Sequence, residues 1–262
     1  MRVALTIAGS DPSGGAGIQA DLKTFHEFGV YGEAVISLLT VQNSRGIKQV
    51  ELVAPDLVLA QLEAVLEDIP PCAAKTGALG SAKLIRELAR SAERWSFPFV
   101  VDPLAAGKHG QPLGEDRALD AMRDALIPRA ALVTPNIPEA EALTGIAIRG
   151  PEELRAAGEW LQRLGTRAVL IKGGHREGAA TDVLLDGDGW MEFPAERIDT
   201  RHTHGTGCTL SAAITAGLAA GRPLRESIRC AKTYIQHAIR TAPGLGSGCG
   251  PLNHFRNERG QS

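Results

Sequence analysis

One ten-residue stretch, His204-Gly205-Thr206-Gly207-Cys208-Thr209-Leu210-Ser211-Ala212-Ala213, combines residue types that could bind an anion and act on it. Gly205 and Gly207 permit a tight turn and let the backbone come close to a ligand. Leu210, Ile214 and Leu218 recur every four residues, which predicts a helix with one buried apolar stripe. The first amides of a helix have no internal partner, and its dipole places partial positive charge there. Such an end binds phosphate. Cys208 falls in the same first turn, where that field is expected to lower a thiol pKa. The stretch reads either as a phosphate cradle carrying a reactive side chain or as a glycine helix start before an ordinary buried cysteine.

Other polar residues admit similar pairs of readings. Asn136-Ile137-Pro138-Glu139 has the spacing of a capping box, and spacing alone favours that reading. The alternative is a polar pair facing a phosphate-bound magnesium ion, which prefers oxygen ligands and keeps its waters. Lys172, at a strand end before two glycines, is either a phosphate-pairing cation or a solvated lysine. Gly9 and Gly14 have P-loop spacing, but Gly15-Ala16 stands where Lys-Ser/Thr is required. Gly15-Ala16-Gly17-Ile18-Gln19-Ala20 fits a dinucleotide fingerprint, yet the following strand ends at Leu39-Thr40 without the expected acid. His202, His204 and Cys208 lack a clustered fourth ligand for structural zinc. A Cys208–His204 hydrolase lacks an orienting third residue.

Composition narrows the function classes. The chain has 262 residues, 44% hydrophobic and 22% charged, with a net charge of -2. Neither nucleic acid nor an acidic membrane is expected as a partner. No apolar run approaches the roughly 20 residues of a membrane span. Met1 to Ala8 lead straight into a strand-like run without a signal peptide, so a cytoplasmic location is expected. Cys72, Cys208, Cys230 and Cys249 show no C-x-x-C pair and are expected as free thiols.

The elements that must position these residues alternate. Strands are predicted at Val3–Ala8, Ala34–Leu39, Cys72–Thr76, Phe97–Asp102, Ala131–Val133 and Ala168–Lys172. Helices are predicted near Ile18–Phe28, Pro55–Leu66, Ala82–Trp95, Pro138–Leu143, Pro151–Leu164 and Leu224–Thr241, besides the one after Gly205. Thr40–Gly46 reads as a polar turn and Pro103–Gly114 as a long one. Asp182–Leu185 and Trp190–Phe193 read as a hairpin. This alternation predicts one domain over residues 1–262 with a covered parallel sheet. Ligands of such sheets lie beyond the carboxyl ends of the strands. That places the loops with Gly9, Gln42, Gly77, Asp102, Asn136, Lys172 and Gly205 together.

In order along the chain, Ala8–Asp21, Thr40–Asn43, Lys75–Gly77, Val101–Pro103, Thr134–Ala140, Lys172–His175, Thr203–Thr209 and Pro251–Phe255 closely resemble the hydroxymethylpyrimidine/phosphomethylpyrimidine kinases of thiamin biosynthesis, in the ribokinase-like superfamily. The resemblance implies a three-layer α/β/α sandwich with a mostly parallel sheet. It implies Mg-ATP as phosphoryl donor and two successive phosphorylations of 4-amino-5-hydroxymethyl-2-methylpyrimidine. By the same resemblance Gln42 reads the pyrimidine ring, and Asp21 and the Gly9 backbone line its pocket. Gly205, Thr206, Gly207 and Cys208 form the anion hole, with Cys208 the base candidate. Asn136 and Glu139 act near magnesium, Glu139 through water, and Lys172 and Asp102 lie near the ATP phosphates. A homodimer is implied. The chain departs from the family pattern at Ala78-Leu79, at Leu104–Lys108 and at Ser247–Gly250, which bears on pocket size and on substrates such as pyridoxal.

Overall fold

The computed structural model describes residues 1–104, 106–107, 110–174 and 180–255. His175 of the Lys172–His175 run, and Ala105, Lys108 and His109 of the 103–114 loop, lie outside the described residues. Nine strands form one sheet among the described residues: β1 (Val3–Ser10), β2 (Tyr31–Asn43), β3 (Gly46–Leu52), β4 (Ala73–Thr76), β5 (Phe99–Val101), β6 (Leu132–Val133), β7 (Val169–Ile171), β8 (Asp182–Asp186) and β9 (Gly189–Phe193). Their spatial order is β3-β2-β1-β4-β5-β6-β7-β8-β9. The pairs from β2 through β7 are parallel, and the hairpins at both edges are antiparallel.

Side-chain alternation sorts the core into layers. Leu5 and Ile7 of β1 and Phe99 and Val101 of β5 pack with α2 (Pro55–Asp68), α3 (Ala82–Ala92), α5 (Ile137–Thr144) and α6 (Pro151–Arg163). Ala4 and Val100 face the other way, toward α1 (Gly17–Glu27), α7 (Thr206–Ala219) and α8 (Leu224–Arg240). Helix, sheet and helix therefore form three layers, the expected α/β/α sandwich. Burial on both faces explains why the central strands read as unbroken apolar runs.

Several expectations change. Thr40–Asn43 is not a turn but the end of β2, and β3 follows it. β3 escapes the sequence pattern because a register shift against β2 at Val41/Gln42 puts Lys48 and Gln49 between its apolar Ile47 and Val50 and breaks the alternation. A further short helix, α4 (Ala118–Ala121), continues into a π turn at Met122–Leu126 and a 3-10 turn at Ile127–Arg129. Helix α7 does not carry a single apolar stripe. It is buried all round from Cys208 to Gly217, and Leu218, expected in the stripe, is only partly buried. Sandwiched between the sheet and α1 and α8, it has no solvent face to make polar.

Candidate active site

The carboxyl ends of β1, β4, β5, β6 and β7 open into one cavity of about 560 Å³. Its wall includes Gly9, Asp11, Gly77, Asp102, Asn136, Glu139, Lys172 and Gly205 to Cys208, together with Gln42 from the β2–β3 hairpin. Loops far apart in sequence meet there because parallel strands present all their carboxyl ends on one edge.

One end of the cavity is built by the start of α7. Gly205 is the N-cap with φ +82°, a conformation suited to glycine. The Thr206 amide donates to the Thr203 carbonyl at 3.3 Å, and its hydroxyl donates to the same carbonyl at 2.8 Å. The Thr209 amide closes the first turn on Gly205 O at 2.9 Å. Of the expected anion hole, Gly207 and Cys208 therefore retain amides for a ligand, while Thr206 staples the turn. A Cβ on Gly207 would lie 3.5 Å from Lys172 Nζ and 3.7 Å from Asp102 Oδ2, so the bare glycine faces the charged cluster.

That cluster joins three strand ends. Lys172 Nζ lies 2.8 Å from Asp102 Oδ1 and 3.7 Å from Glu139 Oε2. Thr134 Oγ1 also donates to Asp102, at 3.2 Å. Burial pushes the Asp102 carboxyl up, but Lys172, Lys75 and the hydrogen bonds outweigh it and hold the group below its ordinary value. For Lys172, burial opposes the charge, yet Asp102 and Glu139 raise it above the ordinary lysine value. Burial drives Glu139 up to about 7, with Asp102 adding to the rise and Lys172 opposing it.

Asn136 and Glu139 form the capping box that their spacing predicts, and both line the cavity. The Asn136 amide donates to Glu139 Oε2 at 2.7 Å, and the Glu139 amide donates to Asn136 Oδ1 at 2.8 Å, completing a capping box. A parallel bridge between Asn136 and Lys172 sets the same box against the cavity. Among the described residues no three metal-ligating side chains cluster. The Asp102 and Glu139 carboxylates beside the open amides of α7 nonetheless suit a hard cation that takes most of its ligands from phosphate and water.

Two expectations require correction. Asp21 does not line the cavity. It is fully buried behind it, where Lys75 Nζ contacts both carboxylate oxygens at 2.8 and 2.9 Å and Thr6 Oγ1 donates at 2.7 Å. Its place on the inner face of α1 makes it a counter-ion rather than a ligand. The Cys208 thiol is not acidified by the helix end. Burial pushes it up to about 11, Lys75 pulls it down, and Asp21 and Asp102 push it up again. Removing the sulfur from water costs more than the dipole and Lys75 return.

Beside the β2–β3 hairpin the cavity wall is largely apolar. Gly9 sits at a register shift in β1, and a Cβ there would come within 2.5 Å of Leu38 Cδ1. Leu38, Ala78 and Leu113 form a small core with Ile47, Val50, Leu52 and Leu104. This cluster closes the β2–β3 hairpin over the cavity, with Gln42 on the lining side. Gln42 makes no side-chain hydrogen bond among the described residues, so its amide is available.

Sequence reasoning missed three residues here. Lys75 gave no local sign of meeting Asp21 across 54 residues. Asp182 and Lys232 pair at 2.7 Å in the far wall, where the Gly173 amide also donates to Asp182 at 2.9 Å. Beside them Ile198, Ile235 and Ile239 make an apolar surface. The charge at Asp182, in a strand otherwise apolar from Val183 to Leu185, was the available signal.

Known proteins match this arrangement over nearly the whole chain. The phosphomethylpyrimidine kinase family model matches residues 11–253. A hydroxymethylpyrimidine/phosphomethylpyrimidine kinase of Rhizobium meliloti is 48% identical over 257 residues, covering 97% of each chain. The crystal structure of the Clostridium difficile phosphomethylpyrimidine kinase superposes with a TM-score of 0.81 at 42% identity, covering 91% of this chain and 100% of that one. An ADP complex of Bacillus subtilis pyridoxal kinase superposes with a TM-score of 0.88 at 38% identity, covering 97% of both. Matched by the family model from residue 11 to residue 253 and by relatives over nearly its whole length, the chain belongs to the phosphomethylpyrimidine kinase family.

Proposed function

We propose that this single cavity phosphorylates hydroxymethylpyrimidine and then its monophosphate, with ATP as donor, in thiamine biosynthesis. The observation that carries the reading is the meeting of the Gly207 and Cys208 amides, Lys172 and Gln42 in one wall. Phosphoryl transfer needs in-line positioning and charge stabilisation more than covalent help. Lys172 and the α7 amides face the phosphates, and Ile198, Ile235 and Ile239 supply an apolar surface for the base. Gln42 offers a donor and an acceptor to the aminopyrimidine edge. Asp102 and Glu139 would hold magnesium, Glu139 through water; bound there, the ion would neutralise phosphate charge. Cys208 is a thiol in the empty enzyme, and Lys75 behind it favours the thiolate when the acceptor hydroxyl must lose its proton.

Leu39 and Val41, 48% and 53% exposed, stand on the outer side of the hairpin and suit a homodimer contact. An enzyme consuming ATP for a soluble vitamin precursor suits the cytoplasm. The test is ATP consumption with and without the pyrimidine, with phosphorylated products resolved. Acceptor-dependent formation of monophosphate and then diphosphate is expected. ATP binding without turnover would mark a nucleotide-binding module, and hydride transfer a dinucleotide enzyme; either would overturn the reading.

A further inference from the structure

His204 has no part in the chemistry described above, yet it occupies the junction of the two loops that hold the reacting partners. Asp11, almost fully buried, gathers the N-terminal loop around its carboxylate. Its Oδ1 accepts from the Ser13 amide at 2.8 Å and from Ser13 Oγ at 2.7 Å. Oδ2 accepts from the Gly15 and Ala16 amides at 3.2 and 2.8 Å. The remaining donor comes from the other end of the chain: His204 Nε2 lies 2.8 Å from Asp11 Oδ2. An ionised carboxylate only accepts, so Nε2 carries the proton in this bond.

Shape reinforces the hydrogen bond. Gly15 leaves room for the imidazole, since a Cβ there would stand 2.5 Å from His204 Cδ2 and 3.1 Å from Pro251 Cβ. The His204 amide donates to Gly250 O at 3.1 Å. The next residue, Gly205, turns its bare Cα onto the Gly15 carbonyl. One residue beyond Gly15, the Ala16 Cα stands 3.2 Å from the place a Cβ on Gly205 would take. The loop after β1 and the start of α7 thus interlock through the His204 ring and the bare Cα of Gly205.

We infer that His204 is a positioning residue for phosphoryl transfer: its bond to Asp11, with its ring seated on Gly15, keeps the acceptor-side loop in register with the phosphate cradle. The consequence concerns geometry between two sites rather than affinity at either. The inference rests on the kinase reading proposed above. Without the Asp11 bond, the loop bearing Gly9 and the turn bearing Gly207 would each keep its own ligand contacts. Their separation would no longer be held. A misplacement of about 1 Å costs on the order of 10²-fold in rate.

The test compares His204→Gln, which keeps a donor, with His204→Phe, which fills the space without one. Pyrimidine phosphorylation and ADP release are both measured, so that the coupling ratio is known. In His204→Phe, kcat is expected to fall about 10- to 100-fold. KM for ATP should change less than about 3-fold, and ADP released per pyrimidine phosphorylated should rise. His204→Gln should recover most of kcat and the coupling ratio. Asp11→Asn, which keeps the shape but alters the acceptor, should repeat the uncoupling if the Phe variant does not fold. Wild-type kcat and coupling in the Phe and Asn variants would overturn the inference. So would a Gln variant as impaired as the Phe variant with an unchanged melting temperature. Failure of the kinase reading is seen separately, as absence of pyrimidine phosphorylation by the wild-type enzyme.

Discussion

Lys172 at the end of β7 and Asp102 at the end of β5 form an ion pair at 2.8 Å directly opposite the bare Cα of Gly207. In the proposed reaction the pair would hold a positive charge ready for phosphate, and Asp102 compensates that charge in the ligand-free protein. Replacing Lys172 by Met would take from buried Asp102 its only ion-pair partner among the described residues, a loss of up to about 3–5 kcal/mol for a buried pair, lessened by Lys75 nearby. Turnover should fall on the order of 10²–10³-fold. Lys172→Met combined with Asp102→Asn should recover melting temperature without recovering turnover. Thermal melts and steady-state kinetics on both variants check this; recovered turnover would place Lys172 outside the phosphate contacts.

Cys208 should behave as a buried thiol at neutral pH. With its pKa pushed up to about 11, the thiolate fraction rises with pH up to that value. Alkylation of the ligand-free enzyme at Cys208 should be slow near pH 7 and accelerate about tenfold per pH unit below the pKa. Lys75→Met should slow it further, because Lys75 pulls the thiol down. Mass spectrometry of the alkylated peptide provides the measurement, and fast labelling near pH 7 would contradict the burial argument.

Glu139 carries a pH signature of opposite consequence for stability and activity. Its folded value of about 7 lies above the ordinary 4.5. Between those values the folded state holds a proton that the unfolded state has lost, so this group makes stability fall as pH rises toward 7. Glu139→Gln should raise the melting temperature of the ligand-free enzyme above pH 7, since Gln also serves a capping box. The same change should lower magnesium-dependent turnover. A variant destabilised at high pH would reverse the sign and exclude this account.

Gln42→Leu should raise KM for the pyrimidine and leave KM for ATP largely unchanged. An unpaired ring edge costs about 1–3 kcal/mol. Initial-rate measurements against each substrate separate the effects; equal losses would move Gln42 away from the ring.

The two phosphorylations should respond differently to two variants. The first acceptor is a neutral hydroxyl, whereas the second is a phosphate already largely ionised because its second pKa is about 6. Cys208→Ala should therefore impair the first step more, by about 10²–10⁴-fold where a general base is lost. Gly207→Val should impair both. Its Cβ alone fits at 3.5 Å from Lys172 Nζ, but the added methyls would enter the phosphate space. Rates of the two half-reactions on each variant decide it, and equal loss in both steps for Cys208→Ala would end the base assignment.

Features set by neighbours along the chain were legible in the sequence. The Gly205 turn, the Asn136–Glu139 capping box and the β8–β9 hairpin all depend on residues a few positions apart. The strand–helix alternation likewise showed that the loops bearing Gly9, Asp102, Lys172 and Gly207 would share one edge. Tertiary structure alone decided what those residues experience. The field at the start of α7 favoured an acidic Cys208, but burial of the thiol beside Asp21 and Asp102 raised it instead. Asp21, read as a pocket residue, became the buried partner of Lys75. β3 stayed hidden because its register shift exists only in pairing with β2. Helix dipoles, caps and turns act over one turn of chain, whereas desolvation and ion pairing depend on which distant segments close over a group.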